Sequence, residues 1–290
     1  MTLPNTAVNA PGRFELGVAT ELLHNPVLAH VASPDGAGRD VQVVDFAFDA
    51  SLLFAIGVAR DLELSAVLPA RILQSGAGAG GLNSQTAPAV ESSALRDPRL
   101  GVAYSFDRLL GRRDLGLRAA FDASLPFGDQ AAFAGDRTVV VMPTVTFGAQ
   151  LTRVALRASA GARLRGGVEF GDAHLGSEGY VALGLGIDAL APGLLFFGLE
   201  GYALPPLSSS RAASANSNLS SVTLIPAEWL LSVRSSFQRD SDWSLSASIG
   251  TALPLSSETL RAAAGGGTTY FAGVTTPEWR TVLAVRFAPQ

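Results

Sequence analysis

The sequence predicts an all-β fold: a transmembrane antiparallel β-barrel of about twelve strands. Three observations predict it. Apolar residues alternate with small or charged ones over twelve separate segments, the two-residue period of strands with one apolar face. The connections between these segments alternate between short and long. A unit of polar turn, alternating segment and closing Leu-Pro recurs four times, as Asp61 to Pro69, Asp114 to Pro126, Gly193 to Pro205 and Asp242 to Pro254. In the last three copies the first residue and the Pro are 12 positions apart. Twelve residues at ~3.3 Å each reach about 40 Å, or about 28 Å when tilted by about 45°, the height of a bilayer's hydrocarbon core.

Taken in chain order, segment 13–23 carries Phe14, Leu16 and Val18 on one parity and Glu15 and Glu21 on the other. Segment 45–58 sets Phe46, Phe48, Leu52, Phe54, Ile56 and Val58 against Asp45 and Asp49. In 61–69, Leu62, Leu64 and Leu68 alternate with Glu63, and 98–106 offers Leu100, Val102, Tyr104 and Phe106. Segment 114–126 places Leu115, Leu117, Phe121 and Leu125 opposite Arg118 and Asp122. Val139, Val141, Val145 and Phe147 mark 138–149, and Val154, Leu156 and Leu164 mark 153–165, opposite Arg157, Arg163 and Arg165. Val181, Leu183, Leu185 and Ile187 follow in 179–189; Leu195, Phe197 and Leu199 in 193–205 oppose Glu200. Segment 222–237 pits Trp229, Leu231, Val233 and Phe237 against Glu228 and Arg234. The last two are 242–254, with Trp243, Leu245, Ile249 and Leu253, and 277–287, with Trp279, Leu283, Val285 and Phe287 opposite Arg280 and Arg286.

No charged residue falls on the apolar parity, whereas Gly, Ala, Ser and nearly all strand charges share the other. A soluble barrel or sandwich would turn its bulky face inward. Small and charged residues suit a narrow lumen, and a belt of Leu, Val and Phe suits lipid. Short connections are expected near Arg60 and at 107–113, 150–152, 190–192 and 238–241. Long ones are expected at 24–44, 70–97, 127–137, 166–178, 206–221 and 255–276. Outer-membrane barrels show this asymmetry, with short periplasmic turns and long extracellular loops, and an even strand count puts both termini on the turn side. Phe14, Phe106, Phe147, Phe237, Trp243 and Phe287 lie toward the turns, and Phe46, Phe48, Trp229 and Trp279 toward the loops, as in two interfacial girdles. Residues 1–290 read as a single barrel domain, with 1–12 an N-terminal extension and strands over about 13–287.

Composition agrees. Hydrophobic residues make up 48% of the 290, yet no apolar run approaches a spanning helix. The net charge of −4 argues against nucleic acid, which needs a clustered basic surface. Zero Cys removes disulfide frameworks and thiolate chemistry. The opening Met1-Thr2-Leu3-Pro4-Asn5 has neither a basic n-region nor an apolar h-region, so no signal peptide is read here, and one is taken to have been removed.

No catalytic, cofactor or metal site is expected. His24, His30 and His174 all fall in predicted loops, so no strand supplies the base of a barrel hydrolase. Asp172 with His174, the Ser-rich stretch 208–221, and the pairs Asp129/Asp136 and Asp35/Asp40 read as solvated loop residues without the spacing of a catalytic or Ca²⁺ site. The glycine runs 76–81 and 265–267 lack the following Lys-Ser/Thr of a phosphate loop. The polar constellation of substance is the inward charge set: Asp45, Asp49, Glu63, Arg118, Asp122, Arg157, Arg163, Glu200, Glu228, Arg234, Arg280 and Arg286. Buried charges must pair, so a salt-bridge plug is favoured over a narrow polar pore.

Several short stretches carry a family resemblance. Arg13-Phe14-Glu15-Leu16-Gly17 with His24-Asn25-Pro26, Asp61 to Pro69, and Asp97-Pro98-Arg99-Leu100-Gly101-Val102 resemble the N-terminal barrel of OmpA-family outer-membrane proteins of myxobacteria and related deltaproteobacteria. Leu125-Pro126-Phe127-Gly128-Asp129 with Phe133-Ala134-Gly135-Asp136 is the most family-like segment, and Pro277 to Pro289 resembles the closing strand. The resemblance implies placement in the cell outer membrane, contact with its lipid and lipopolysaccharide, and delivery by barrel-insertion machinery, which recognises a terminal aromatic such as Phe287. The expected function is non-enzymatic: a membrane-embedded anchor or a narrow porin-like diffusion channel. A transporter for small hydrophobic or aromatic compounds is the alternative, and the small, charged inner face weighs against it.

Overall fold

The computed structural model describes residues 6–31, 39–78, 89–112, 114–170, 173–190, 194–207, 211–212, 225–236, 242–253 and 276–289. In chain order the strands begin with β1 Phe14–Val31, β2 Arg39–Ala59, β3 Leu62–Ser75, β4 Ala94–Leu95 and β5 Arg99–Ser105. A four-residue helix, α1 Asp107–Leu110, precedes β6 Leu115–Ser124, β7 Val140–Leu151 and β8 Val154–Arg163. Then come β9 Val168–Phe170, β10 Ala173–Leu175, β11 Glu178–Asp188, β12 Leu195–Ala203 and β13 Arg211–Ala212. The chain finishes with β14 Ala227–Ser236, β15 Trp243–Ala252 and β16 Trp279–Phe287. The four strands of two or three residues, β4, β9, β10 and β13, belong to the long connections; the other twelve make the barrel. Each barrel strand pairs antiparallel with its neighbours, and β1 meets β16 from Leu16↔Phe287 to His24↔Trp279, which closes the sheet. Closure removes the unpaired edge that hydrocarbon would not tolerate.

Every predicted segment is a strand, and the predicted parity is the observed one. Leu16, Leu52, Leu64, Leu100, Phe121, Val145, Leu156, Leu183, Leu199, Leu231, Ile249 and Leu283, one from each barrel strand, are exposed on the outer surface. Asp49, Glu63, Thr146, Ser159 and Glu228 of the opposite parity are buried inside. A water-soluble fold would invert this. Short connections occur at 60–61, at 106–114, where Gly111 (φ 62°) ends α1, and at 152–153. The termini meet at this end, where aromatics cluster: Trp243 lies 4.8 Å from Phe287, and Phe14 6.4 Å. Phe237, residues 191–193 and 238–241, and Pro254 lie outside the described residues.

Three expectations need correction. The long loop 24–44 is mostly strand, because β1 runs to Val31 and β2 starts at Arg39. Asn25-Pro26 does not end β1; it is a register shift between His24 and Val27, with Asn25 at φ 48°, a left-handed conformation Asn tolerates. The hairpin continues because Leu23, Val27, Val41, Val43, Val44 and Ala47 pack into one buried cluster. Tertiary burial overrides the local breaker. Second, Leu68-Pro69 does not end β3, which runs on to Ser75. Pro69 stays paired with Ser51 of β2, while on its other side pairing with β5 stops at Val67↔Arg99 and the Pro69 carbonyl accepts from Arg96 N at 3.4 Å, so its missing N–H falls outside the β3–β5 ladder. Third, His24 and His30 stand on β1 and His174 on β10, so strands do carry histidines. The other Leu-Pro units follow the pattern, with strands ending at Ser124, Ala203 and Ala252.

Candidate functional site: the barrel lumen

Inward parity gathers the strand charges on a common surface, and barrel register decides which of them meet. On the wall from β14 to β3 they form an alternating chain. Glu228 accepts from Arg280 at 3.1 Å, and Arg280 reaches Glu21 at 3.0 Å. Arg96 lies 3.9 Å from Glu21 and 2.5 Å from Asp49, and Arg71 holds both Asp49 oxygens at 2.8 and 3.1 Å. The register explains the need: Glu21 stands directly opposite Asp49, and two facing carboxylates repel unless cations are interposed. Asp49 is 1% exposed and Glu228 0%, and charges that deep require partners.

Arg71, Arg96 and Gln74 were not expected here. The alternation of Glu63 continues to Arg71, and following it past Pro69 would have found that residue. Gln74 breaks parity. The ladder slips between Phe48↔Leu73 and Asp49↔Arg71, so Ile72 is an extra bulge residue. Arg71 and Gln74, three apart, therefore both point inward, joined by a 2.9 Å hydrogen bond. Arg96 has no parity signal, because it precedes β5 in a connection.

A second cluster guards the long-loop end of the opposite wall. Asp136 is 2.9 Å from Arg163 and 3.3 Å from Arg165, and Glu178 is 3.4 and 3.5 Å from the same two guanidiniums. Burial, then Arg163, lowers the pKa of Arg165, while Glu178 and Asp136 oppose the shift. Asp136 belongs to the connection 125–139, which folds over the lumen. The Asp97 carboxylate clamps this connection at two points, accepting from Gly128 N at 2.7 Å and Asp136 N at 2.6 Å. Gln74 donates to Ala132 O and Arg71 to Phe133 O, while Phe133 packs on the β1–β2 cluster. Asp129 accepts from Ala131 N and Ala132 N of its own turn. Asp129 and Asp136 thus have separate structural duties.

At the short-turn end, Arg118 meets Glu63 at 3.2 Å and Arg286 meets Glu15 at 3.2 Å. Between the ends, Gly184 of β11 separates Arg157 of β8 from Glu200 of β12, and Asp122 lies over Gly101. Arg234 stacks on the Phe196 ring at 4.9 Å. Asp45 does not join these groups. It sits beside the β1 register shift, 40% exposed and 4.0 Å from His24, whose ring stacks on Trp279.

The inner face is not purely small and charged. Tyr180, Phe196, Tyr202 and Leu230 share the inward parity on β11, β12 and β14, with Tyr180 and Tyr202 6.5 Å apart and Leu230 1% exposed. Gly186 makes room for Phe196: a Cβ there would come within 1.9 Å of the ring. Of the three aromatics only Tyr180 faces a glycine across the ladder, Gly161; Phe196 faces Asp188 and Arg234, and Tyr202 faces Ala182 and Glu228. Chemically the inner face offers paired charges and an aromatic patch. Among the described residues no group of His, Asp and Glu could hold a metal ion.

A concavity of about 760 Å³ lies between Phe147, Leu156, Leu183, Leu199 and Trp229. These five have outward parity, Arg157, Gly184 and Glu200 of the inward parity also border the concavity, and the β8–β11–β12 ladder beneath is continuous. Its apolar side chains, Phe147, Leu156, Leu183, Leu199 and Trp229, belong to the outer surface.

No protein-family model and no curated sequence matches the chain. Solved structures do. The COG4313 outer-membrane channel from Pseudomonas putida F1 superposes with a TM-score of 0.65 at 13% identity, over 99% of both chains. The NanC porin gives 0.50 at 6% identity, over 93% of this chain and 99% of the other. The toluene transporter TodX of P. putida gives 0.48 at 11% identity, over 98% of this chain and 91% of the other. The fold is that of an outer-membrane β-barrel, a closed twelve-stranded antiparallel sheet of the kind that channels and porins use.

Proposed function

We propose that the protein is a non-enzymatic channel of the outer membrane that passes small polar solutes through a narrow lumen of mixed charge. One observation carries this reading: every barrel strand turns an exposed aliphatic or aromatic residue outward, while Glu21, Asp49, Arg71, Glu228 and Arg280 pair across the strands inside. Such a wall is stable with lipid outside and water or ions within. Lipid and lipopolysaccharide are then its immediate partners, the barrel-insertion machinery its route in, the short turns periplasmic and the long loops extracellular. The motifs Leu125 to Asp129 and Phe133 to Asp136 support an affinity with OmpA-family barrels. Their structural part is plain, since Gly128, Asp136 and Asp97 make the clamp described above.

A second reading, transport of small hydrophobic or aromatic compounds, is favoured by the patch of Tyr180, Phe196, Tyr202 and Leu230. Purified protein in planar bilayers tests both. Ion conductance above background supports the channel, and its reduction by a monoaromatic solute but not by a sugar favours the second reading. Silence in salt would leave the anchor role.

A further inference from the structure

We propose that residues 6–12 form a plug seated in the short-turn mouth of the lumen, and that their withdrawal opens the pore. The proposal rests on the reading of the barrel as a channel. At the entrance to β1, Gly12 (φ 77°) turns the chain back on itself. Gly12 N donates to Gly57 O at 2.8 Å, Gly57 N donates to Arg13 O at 2.9 Å, and Pro11 bridges Gly57 in parallel. From this anchor the chain runs inward. Asn9 donates twice to Glu63 Oε2, from its backbone N and from Nδ2, both at 2.9 Å. The other Glu63 oxygen is held by Arg118 at 3.2 Å.

Thr6 then arrives at β6 and β7. A Cβ on Gly116 would lie 2.1 Å from Thr6 Oγ1, and one on Gly148 would lie 2.9 Å from Thr6 Cγ2. A Cβ on Gly57 would lie 2.2 Å from Ala10 O. All three glycines have inward parity, so three walls lack a side chain where this segment passes. A wall evolved only to be filled by its own side chains would not need those gaps.

The span is sufficient. Twelve strands ~4.8 Å apart and tilted by about 40° enclose a barrel about 24 Å across between backbones. The six residues from Thr6 to Pro11, nearly extended, reach roughly 20 Å. The contacts run from β2 and β3 to β6 and β7, so the segment spans one side of the mouth and narrows it, and inward side chains such as Arg118 occupy part of the remainder. Among the described residues its polar attachments are those of Asn9 to Glu63 and the turn at Gly57, and it belongs to neither buried apolar cluster. Such a segment can leave without unfolding the barrel.

The experiment compares single-channel conductance of the full chain, a variant lacking residues up to Pro11, and the double variant Thr6→Cys/Gly148→Cys. The chain has no native Cys, so the engineered pair forms without competition. Replacing Thr6 also removes the methyl that crowds position 148. The expected result is several-fold higher conductance in the truncated variant, openings abolished in the oxidised double variant, and wild-type behaviour after reduction. Conductance in the full chain that neither truncation nor the oxidised crosslink changes would overturn the plug and leave the channel reading intact. Silence in both full and truncated chains would overturn the channel reading and the plug with it.

Discussion

Replacing Leu183 with Arg gives a sharp test of which side of the wall meets lipid. Leu183 is the sixth of eleven residues in β11 and is 69% exposed on the outer surface. Its cross-strand neighbours are Ala158 on β8 and Gly201 on β12, which offer no polar side chain to a guanidinium. At ~3.3 Å per residue and a tilt of about 40°, five residues place it roughly 13 Å from either rim. An Arg side chain spans only about 7 Å to its guanidinium and cannot reach water by bending. The expected cost is about 2–4 kcal/mol of unfolding free energy in lipid vesicles. Ile187, four residues on toward the short turn and 47% exposed, supplies the control. There Arg should cost about 0–1 kcal/mol, because water lies within reach. Equilibrium urea unfolding in vesicles measures both variants. If the outer face met water, either substitution would stay within about 0.5 kcal/mol, as for ordinary surface sites. A cost below about 1 kcal/mol at Leu183, or equal costs at the two sites, refutes the orientation.

Other consequences concern the interior. Glu228→Ala strips Arg280 of one carboxylate but leaves Glu21 at 3.0 Å, so the loss should be about 1–3 kcal/mol, less than for an uncompensated buried charge; the same unfolding assay reads it. Asp97→Ala removes the acceptor for Gly128 N and Asp136 N, and hydrogen exchange at these two amides should quicken together while the barrel ladders stay protected. The exposed hydrogen bond from Arg112 lowers the pKa of Asp114. Any stability from this pair is therefore present above the ordinary Asp range and lost as pH falls through the lowered pKa. An NMR titration should show Asp114 returning to its usual range in Arg112→Gln, and an unchanged titration would sever the two residues.

The sequence was most legible where a strand's pattern is local. Alternation needs only neighbours, so all twelve strands and their lipid face could be read from it. Direction reversals were legible too, because short turns leave no residues between alternating runs. Breakers were read too literally. Asn25-Pro26 and Leu68-Pro69 look like strand ends, yet one is absorbed by a register shift and the other sits where a ladder has already finished. The cost of the first is offset by packing of Leu23 and Val27 against Val41, Val43 and Val44 of the next strand.

The lumen divides along the same line. That Glu21, Asp49, Glu228 and Arg280 face inward follows from parity, which every strand carries by itself. That Glu21 stands across from Asp49, and so requires Arg96 and Arg280 between and beside them, depends on a register fixed only once the barrel closes. Glycines make the point more strongly. Gly57, Gly116 and Gly148 differ in nothing, as letters, from other inward glycines that merely keep the lumen wide. They acquire meaning when residues 6–10 are placed against them from as many as 142 positions away. A small residue on an inner wall is thus ambiguous between open space and a seat. The contact distance to a remote segment resolves it, and here the distances of 2.1 to 2.9 Å to a hypothetical Cβ favour the seat.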